Sequence, residues 1–172
     1  MASDADVVWK LWAIHEIQQL AYRYAYSVDM RDVELYRTIW APIGERAELP
    51  DINWSTIERL TSAWHSRRAS ILDVTNHLID IESPTRASGV VYCRVQVDLD
   101  GQWVDQSVLY EDKYVKHEDT WLFLVRRHLL WYGAVRIPHP FAQEPAYYPK
   151  SSIGAGTLPE EHMNRPKRAA SS

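Results

Sequence analysis

From residue 70 to residue 133 the chain carries four consecutive runs that alternate apolar with polar residues. The alternation predicts strands over 70–82, 88–100, 103–117 and 120–133. Ser83-Pro84, Asp100-Gly101 and Glu118-Asp119 punctuate them. Connections this short admit only antiparallel neighbours, because a parallel pair needs a crossover of a dozen or more residues. The expected sheet is therefore an antiparallel meander.

The segment before the strands has a different period. Val8, Leu11, Trp12, Ile14, Ile17, Leu20, Ala21, Tyr24, Ala25 and Val28 recur at three- and four-residue spacing, predicting a helix over about 6–28. Asp29 follows at the negative end of the helix dipole, where a carboxylate is disfavoured. A second helix is expected over 32–40, with Asp32 as N-cap and Ala41-Pro42 as its stop. A short strand is expected near Arg46–Leu49. The capping box Ser55-Thr56-Ile57-Glu58 opens a third helix to about residue 69, with Ile57, Leu60 and Trp64 inside. Helices followed by an antiparallel sheet give an α+β domain over 1–133. Residues 134–172 hold most of the prolines and a basic end, and read as a partly ordered arm packed near Phe141 and Tyr148.

A chain of 172 residues supports one domain with a substantial core. Net charge −4 gives no reason to expect nucleic acid. The single cysteine, Cys93, excludes a disulfide framework and a cysteine-based zinc site. No apolar run is long enough for a membrane span, and the N-terminus does not read as a signal peptide, so the expected compartment is the cytoplasm. His15-Glu16-Ile17-Gln18-Gln19 lacks the second histidine of a zinc-protease helix. Asp98-Leu99-Asp100 reads as a turn and not a calcium loop. Neither a metal nor an organic cofactor is expected.

One residue in the first strand stands out. His77 lies in an apolar stretch, Leu72 to Ile81, and a buried histidine there needs a polar partner. The expected partner is Asp29, giving an Asp-His general-base dyad. Strand alternation places Thr75, His77 and Ile79 on one face. Alignment with the group that the chain resembles, described below, implies that Val95, Val97, Tyr110 and the series Arg127, Leu129, Trp131 face the same way. Tyr24, Trp40 and Trp64 close the site from the helices, and Tyr110 is a candidate proton donor. The expected binding residues are thus Tyr24, Trp40, Trp64, Arg127 and Trp131. With eight Trp and ten Tyr against two Phe, the chain suits a flat aromatic ligand. Arg126, His128 and the basic tail read as surface charge.

Residues as well as element order resemble a known group. Asp29-Met30-Arg31-Asp32, Arg37 and Ala41-Pro42 stand at the spacings found in scytalone dehydratases. His77 falls at the position of the catalytic histidine there and in hexachlorocyclohexane dehydrochlorinases, and Tyr114 precedes Trp121 as in a hairpin of both. Over roughly residues 7–133 the chain resembles this SnoaL-like branch of the NTF2-like superfamily. The resemblance implies a curved sheet wrapped round helices into a cone with an apolar pocket. It also departs from the dehydratases. Their tyrosine pair corresponds to Val28 and Glu48, their second pocket histidine to Val97 and their asparagine to Tyr110.

The resemblance implies a cofactor-independent lyase working through Asp29, His77 and Tyr110 on a small aromatic substrate. Dehydration, dehydrohalogenation and retro-aldol-type loss of formaldehyde from a lignin-derived diaryl diol all fit such a base. Two alternatives stand beside it: an isomerase or cyclase using the same base, and a non-catalytic module that binds small ligands. An open sheet face further implies a homo-oligomer, a dimer or trimer.

Overall fold

The computed structural model describes residues 3–42, 64 and 69–158. Helix α1 runs Asp4–Met30. Ser3 caps it and exchanges hydrogen bonds with Asp6, closing a capping box. Arg31 ends the helix in the left-handed conformation. Asp29 therefore lies in the last helical turn, slightly inside the boundary expected from the sequence. Asp32 caps α2, Val33–Thr38, by accepting from the Leu35 amide at 2.9 Å. The expected strand near Arg46–Leu49 lies outside the described residues, as does the helix expected from Ser55 except for Trp64.

Four strands follow: β1 Ser70–Ser83, β2 Arg86–Leu99, β3 Gln102–His117 and β4 Thr120–Val135. They pair in chain order as an antiparallel meander. Two hairpins turn through residues with positive φ, Asp100-Gly101 and Glu118-Asp119, as two-residue hairpins with the sheet's natural twist require. Asp98 Oδ1 accepts from the Gly101 amide at 2.9 Å, confirming the turn reading of that acidic cluster. An α+β fold of helices on a four-stranded sheet is what the period change predicts.

The inner face of α1 packs on the sheet through Ile17, Leu20, Ala21, Tyr24 and Val28. Trp40 bridges to Phe123, tying the segment after α2 to β4. The first turns of α1 run past this core: Val8, Leu11 and Trp12, expected on the inner side, are exposed. Beyond β4, Phe141 and His139 pack against Trp103, while Tyr148 is 84% exposed and does not share that contact.

Two irregularities in the sheet decide which side chains face the helices. Between Val74 and His77, β1 carries two residues opposite one residue of β2. This bulge shifts the alternation by one. Leu72 and Val74 are partly buried, Thr75 and Asn76 are exposed, and His77, Ile79 and Ile81 turn inward. The Thr75 hydroxyl covers the bulge by donating to the Tyr92 carbonyl at 3.2 Å. Thr75 is thus not on the face of His77, contrary to simple alternation. In β4, Tyr114 pairs with Phe123 but Lys113 with Val125, leaving Leu124 as the extra residue. Past it, Arg126 points inward and Arg127 outward.

Candidate active site

The inner end of the sheet holds a chain of four polar side chains. His77 Nε2 lies 2.9 Å from the Tyr114 hydroxyl. That hydroxyl donates to Asp112 Oδ2 at 2.8 Å. Arg126 donates to both carboxylate oxygens of Asp112, Nε to Oδ1 at 2.8 Å and Nη2 to Oδ2 at 2.7 Å. Asp112 and Tyr114 alternate along β3, and Asp112 is the cross-strand partner of Arg126. Gly89 sits opposite Asp112 on β2. A Cβ there would collide with the Leu78 carbonyl and lie 3.4 Å from the Tyr114 ring, so the missing side chain makes room for the cluster.

The Asp112–Arg126 pair is almost wholly buried, with side chains 0% and 3% exposed. Removing two ions from water costs several kcal/mol per ion, which only good geometry offsets. Here the pair is bidentate, and the guanidinium carbon lies 4.3 Å from the centroids of the Tyr24, Tyr110 and Phe123 rings. Burial opposes the charge on Arg126, but Asp112 beside it holds the guanidinium protonated well above its ordinary range. Burial first, and then the Asp112 charge, push the Tyr114 hydroxyl far above the usual phenol range.

His77 and Asp29 each carry a buried polar atom with no hydrogen-bond partner: Nδ1 of His77 and Oδ1 of Asp29. No hydrogen bond joins the two residues in the structure. The other Asp29 oxygen accepts from the Leu72 amide at 3.2 Å, which fixes the end of α1 to β1. Burial raises Asp29 to about 7, opposed by the Leu72 amide and then by Arg31. Burial lowers His77 to about 4, with the nearby Asp112 charge pulling the other way. At neutral pH the imidazole is uncharged, and Asp29 is divided between acid and carboxylate. Burial thus moves the two groups in opposite directions and past each other, favouring the uncharged form of each.

The aromatic residues expected around the site divide into two sets. Tyr24, Trp64 and Tyr110 are buried in one cluster with Tyr36, Tyr114 and Phe123, and Trp40 packs against it. Tyr24 meets Tyr110 at 5.7 Å and Tyr36 at 5.6 Å, and Trp64 stands edge-on to Tyr36 at 5.2 Å. Burial raises the hydroxyls of Tyr24, Tyr36 and Tyr110, so all three stay protonated. Arg127 and Trp131 lie on the opposite face. Arg127 is 68% exposed and pairs with Glu111 at 3.1 Å, and Trp131 is 56% exposed and packs edge-on to Tyr92 at 5.3 Å. The Leu124 bulge reverses the phase at Arg127, and Trp131 is itself the extra residue of a second bulge, between the pairs Val108–Leu130 and Ser107–Tyr132.

That bulge also brings inward a residue read from the sequence as surface charge. Arg126 is the most buried cation of the cluster, and His128 stacks on the Tyr110 ring at 5.4 Å. The sequence held one signal for this: Glu111-Asp112 and Arg126-Arg127 lie in register across one hairpin and offer two opposite-charge pairs, one on each face. The apolar run Trp121 to Val125 hides it, because Leu122 and Leu124 pack with Ala41 and Val115 behind the sheet while Trp121 and Phe123 pack in front. Among the described residues, no group of three metal-ligating side chains is positioned to hold an ion.

A family model for the SnoaL-like domain matches residues 9–127. The chain belongs to the SnoaL-like domain family. This SnoaL-like protein is similar in structure to a type 2 hexachlorocyclohexane dehydrochlorinase, LinA. The TM-score is 0.66 at 17% identity, covering 77% of this chain and 94% of that one. LinA type 3 from Novosphingobium barchaimii gives a TM-score of 0.64 at 16% identity, over 77% and 95% of the two chains. A protein assigned as a scytalone dehydratase, from Novosphingobium aromaticivorans, gives 0.64 at 16% identity, over 77% and 93%. At these identities the likeness establishes the NTF2-like fold of the SnoaL-like protein. Among curated proteins it has no match. None of its described helices is long and apolar enough to cross a membrane.

Proposed function

We propose that this SnoaL-like protein is a cofactor-independent lyase in which His77 takes a proton from a small aromatic substrate. The observation that carries this reading is the His77 ring itself: uncharged at neutral pH, held through Nε2 and left with a buried, unpartnered Nδ1. A positioned imidazole of this kind contributes ~10²–10⁴-fold to a proton transfer. Asp29 supplies the negative charge that stabilises the imidazolium once formed, and the apolar surroundings strengthen that attraction. Tyr24, Trp40 and Trp64 form the aromatic wall. Tyr110, kept protonated by burial, donates a hydrogen bond to a leaving oxygen.

The electron pair freed by proton removal forms a double bond as the β group departs. The leaving group is water or halide. For a diaryl diol, the base removes the carbinol proton, the carbon–carbon bond breaks to release formaldehyde, and the benzylic hydroxyl leaves. Support for a lyase over a bare binding module comes from the held His77 ring with its buried, unpartnered Nδ1, and from the fold shared with a dehydrochlorinase.

The outer sheet face exposes Leu78, Trp131 and Tyr132, a surface suited to a second copy of the chain. A homodimer or homotrimer is part of the proposal. The reaction is tested by mass spectrometry on aromatic diols, hydroxylated ketones and halogenated rings, without added cofactor. Loss of water, halide or formaldehyde supports the lyase. A mass-neutral conversion replaces it with an isomerase, and tight binding without turnover replaces it with a binding module.

A further inference from the structure

The proton count of the buried cluster determines more than its distances do. Asp112, in its ion pair with Arg126, is an acceptor only. The Tyr114 hydroxyl has one proton, and Asp112 Oδ2 receives it at 2.8 Å. The contact between Tyr114 and His77 Nε2 at 2.9 Å must then be filled by a proton from the ring. We infer that the Tyr114–Asp112–Arg126 chain locks His77 in its Nε2–H tautomer and so places the lone pair on Nδ1. Tyr114, Asp112 and Arg126 are positioning residues acting through His77.

This inference rests on the reading of His77 as the base and deepens it. In the Asp-His dyad expected from the sequence, the carboxylate that orients the imidazole is Asp29. Here that task falls to Asp112, one hydroxyl removed, and Asp29 makes no hydrogen bond to the ring. The proton balance is closed. Nδ1 accepts the substrate proton, Nε2 keeps its own, and the imidazolium donates through Nε2–H to Tyr114, whose own hydroxyl proton stays on its oxygen, donated in a hydrogen bond to Asp112. No proton travels along the chain. Arg126 keeps Asp112 an acceptor, because a protonated Asp112 could donate to Tyr114 and reverse the order. A reversed order would move the ring proton to Nδ1 and remove the base.

The test reads the tautomer directly, with no substrate present. In protein labelled with ¹⁵N-histidine, long-range ¹H–¹⁵N correlations separate a protonated ring nitrogen from a bare one. The His77 signal is assigned by its loss in His77→Gln. The expected spectrum at pH 7 shows Nε2 protonated and Nδ1 bare in a single tautomer. Tyr114→Phe removes one oxygen and leaves both Arg126–Asp112 bonds in place, so it is a change the fold tolerates. It is expected to abolish the single-tautomer pattern, giving averaged or Nδ1–H signals. Nδ1–H or averaged signals in the wild type overturn the inference, as does a Tyr114→Phe spectrum identical to the wild type. Because the spectrum is independent of turnover, an enzyme with no detected substrate can still pass this test, and an active one can still fail it.

Discussion

His77 Nε2 lies 2.9 Å from the Tyr114 hydroxyl oxygen, whose own proton is donated to Asp112. That contact exists because β1 carries a bulge between Val74 and His77. In an unbroken strand starting from Leu72 and Val74, His77 faces solvent. The bulge turns it onto the face that holds Tyr114.

The same logic in β4 separates two adjacent arginines. Arg126→Met is expected to destabilise the protein by ~3–5 kcal/mol, because it leaves Asp112 buried without its counter-ion. Arg127→Met removes an exposed pair with Glu111 and should change stability by ~0–1 kcal/mol. Urea unfolding of the two variants measures the difference. Equal effects would mean that the Leu124 bulge does not set the phase of β4.

Asp29 and His77 give stability opposite dependences on pH. Asp29, raised from 3.8 to about 7, binds its proton more tightly folded than unfolded. Its contribution is full below pH 3.8 and is lost as pH rises through about 7. His77, lowered from 6.5 to about 4, contributes fully above pH 6.5 and loses that contribution as pH falls through about 4. Relative to wild type, Asp29→Asn should therefore gain stability as pH rises from about 4 to 7. His77→Gln should lose stability as pH rises from about 4 to 6.5. Urea midpoints measured across this range check the crossing, and parallel profiles would contradict it.

Catalysis should follow Asp29. Its carboxylate form is the one that stabilises the imidazolium, so kcat/KM is expected to rise with pH through about 7. In Asp29→Asn the rise should disappear and the plateau should fall. A profile that instead rises through about 4, where His77 titrates, would leave Asp29 outside the chemistry.

Much of the fold was legible because its elements carry clean signals. The strand runs between turns such as Asp100-Gly101 gave the meander nearly to the residue, and Asp32 capped α2 as its type suggests. The site was legible where a residue stood alone in apolar surroundings, as His77 does, or on an inner helix face, as Tyr24 does. It was hidden where the face of a strand depended on a bulge. Arg126 and Arg127 are neighbours of one type, and nothing local distinguishes the buried one. The alignment-based placement of Arg127 and Trp131 passes over two bulges, at Leu124 and at Trp131 itself, that change the phase of β4. Tyr114 stood out in sequence only through its hairpin with Trp121, whereas its chemistry comes from Asp112 on the same strand and His77 two strands away.

The exposed apolar side chains of the outer face carry a prediction of their own. Trp131 packs on Tyr92 there and remains 56% exposed. Light scattering on the purified protein should give a multiple of the 20.0 kDa chain, and Trp131→Glu should lower it. A monomer in the wild type would refute the proposed assembly.

The most direct measurement of the central claim runs wild type and His77→Ala side by side in the mass-spectrometric screen, with circular dichroism to show that both are folded. Wild type is expected to release water, halide or formaldehyde from at least one aromatic substrate, and His77→Ala to do so ~10²–10⁴-fold more slowly. Turnover that survives the substitution undiminished would show that the base is not His77.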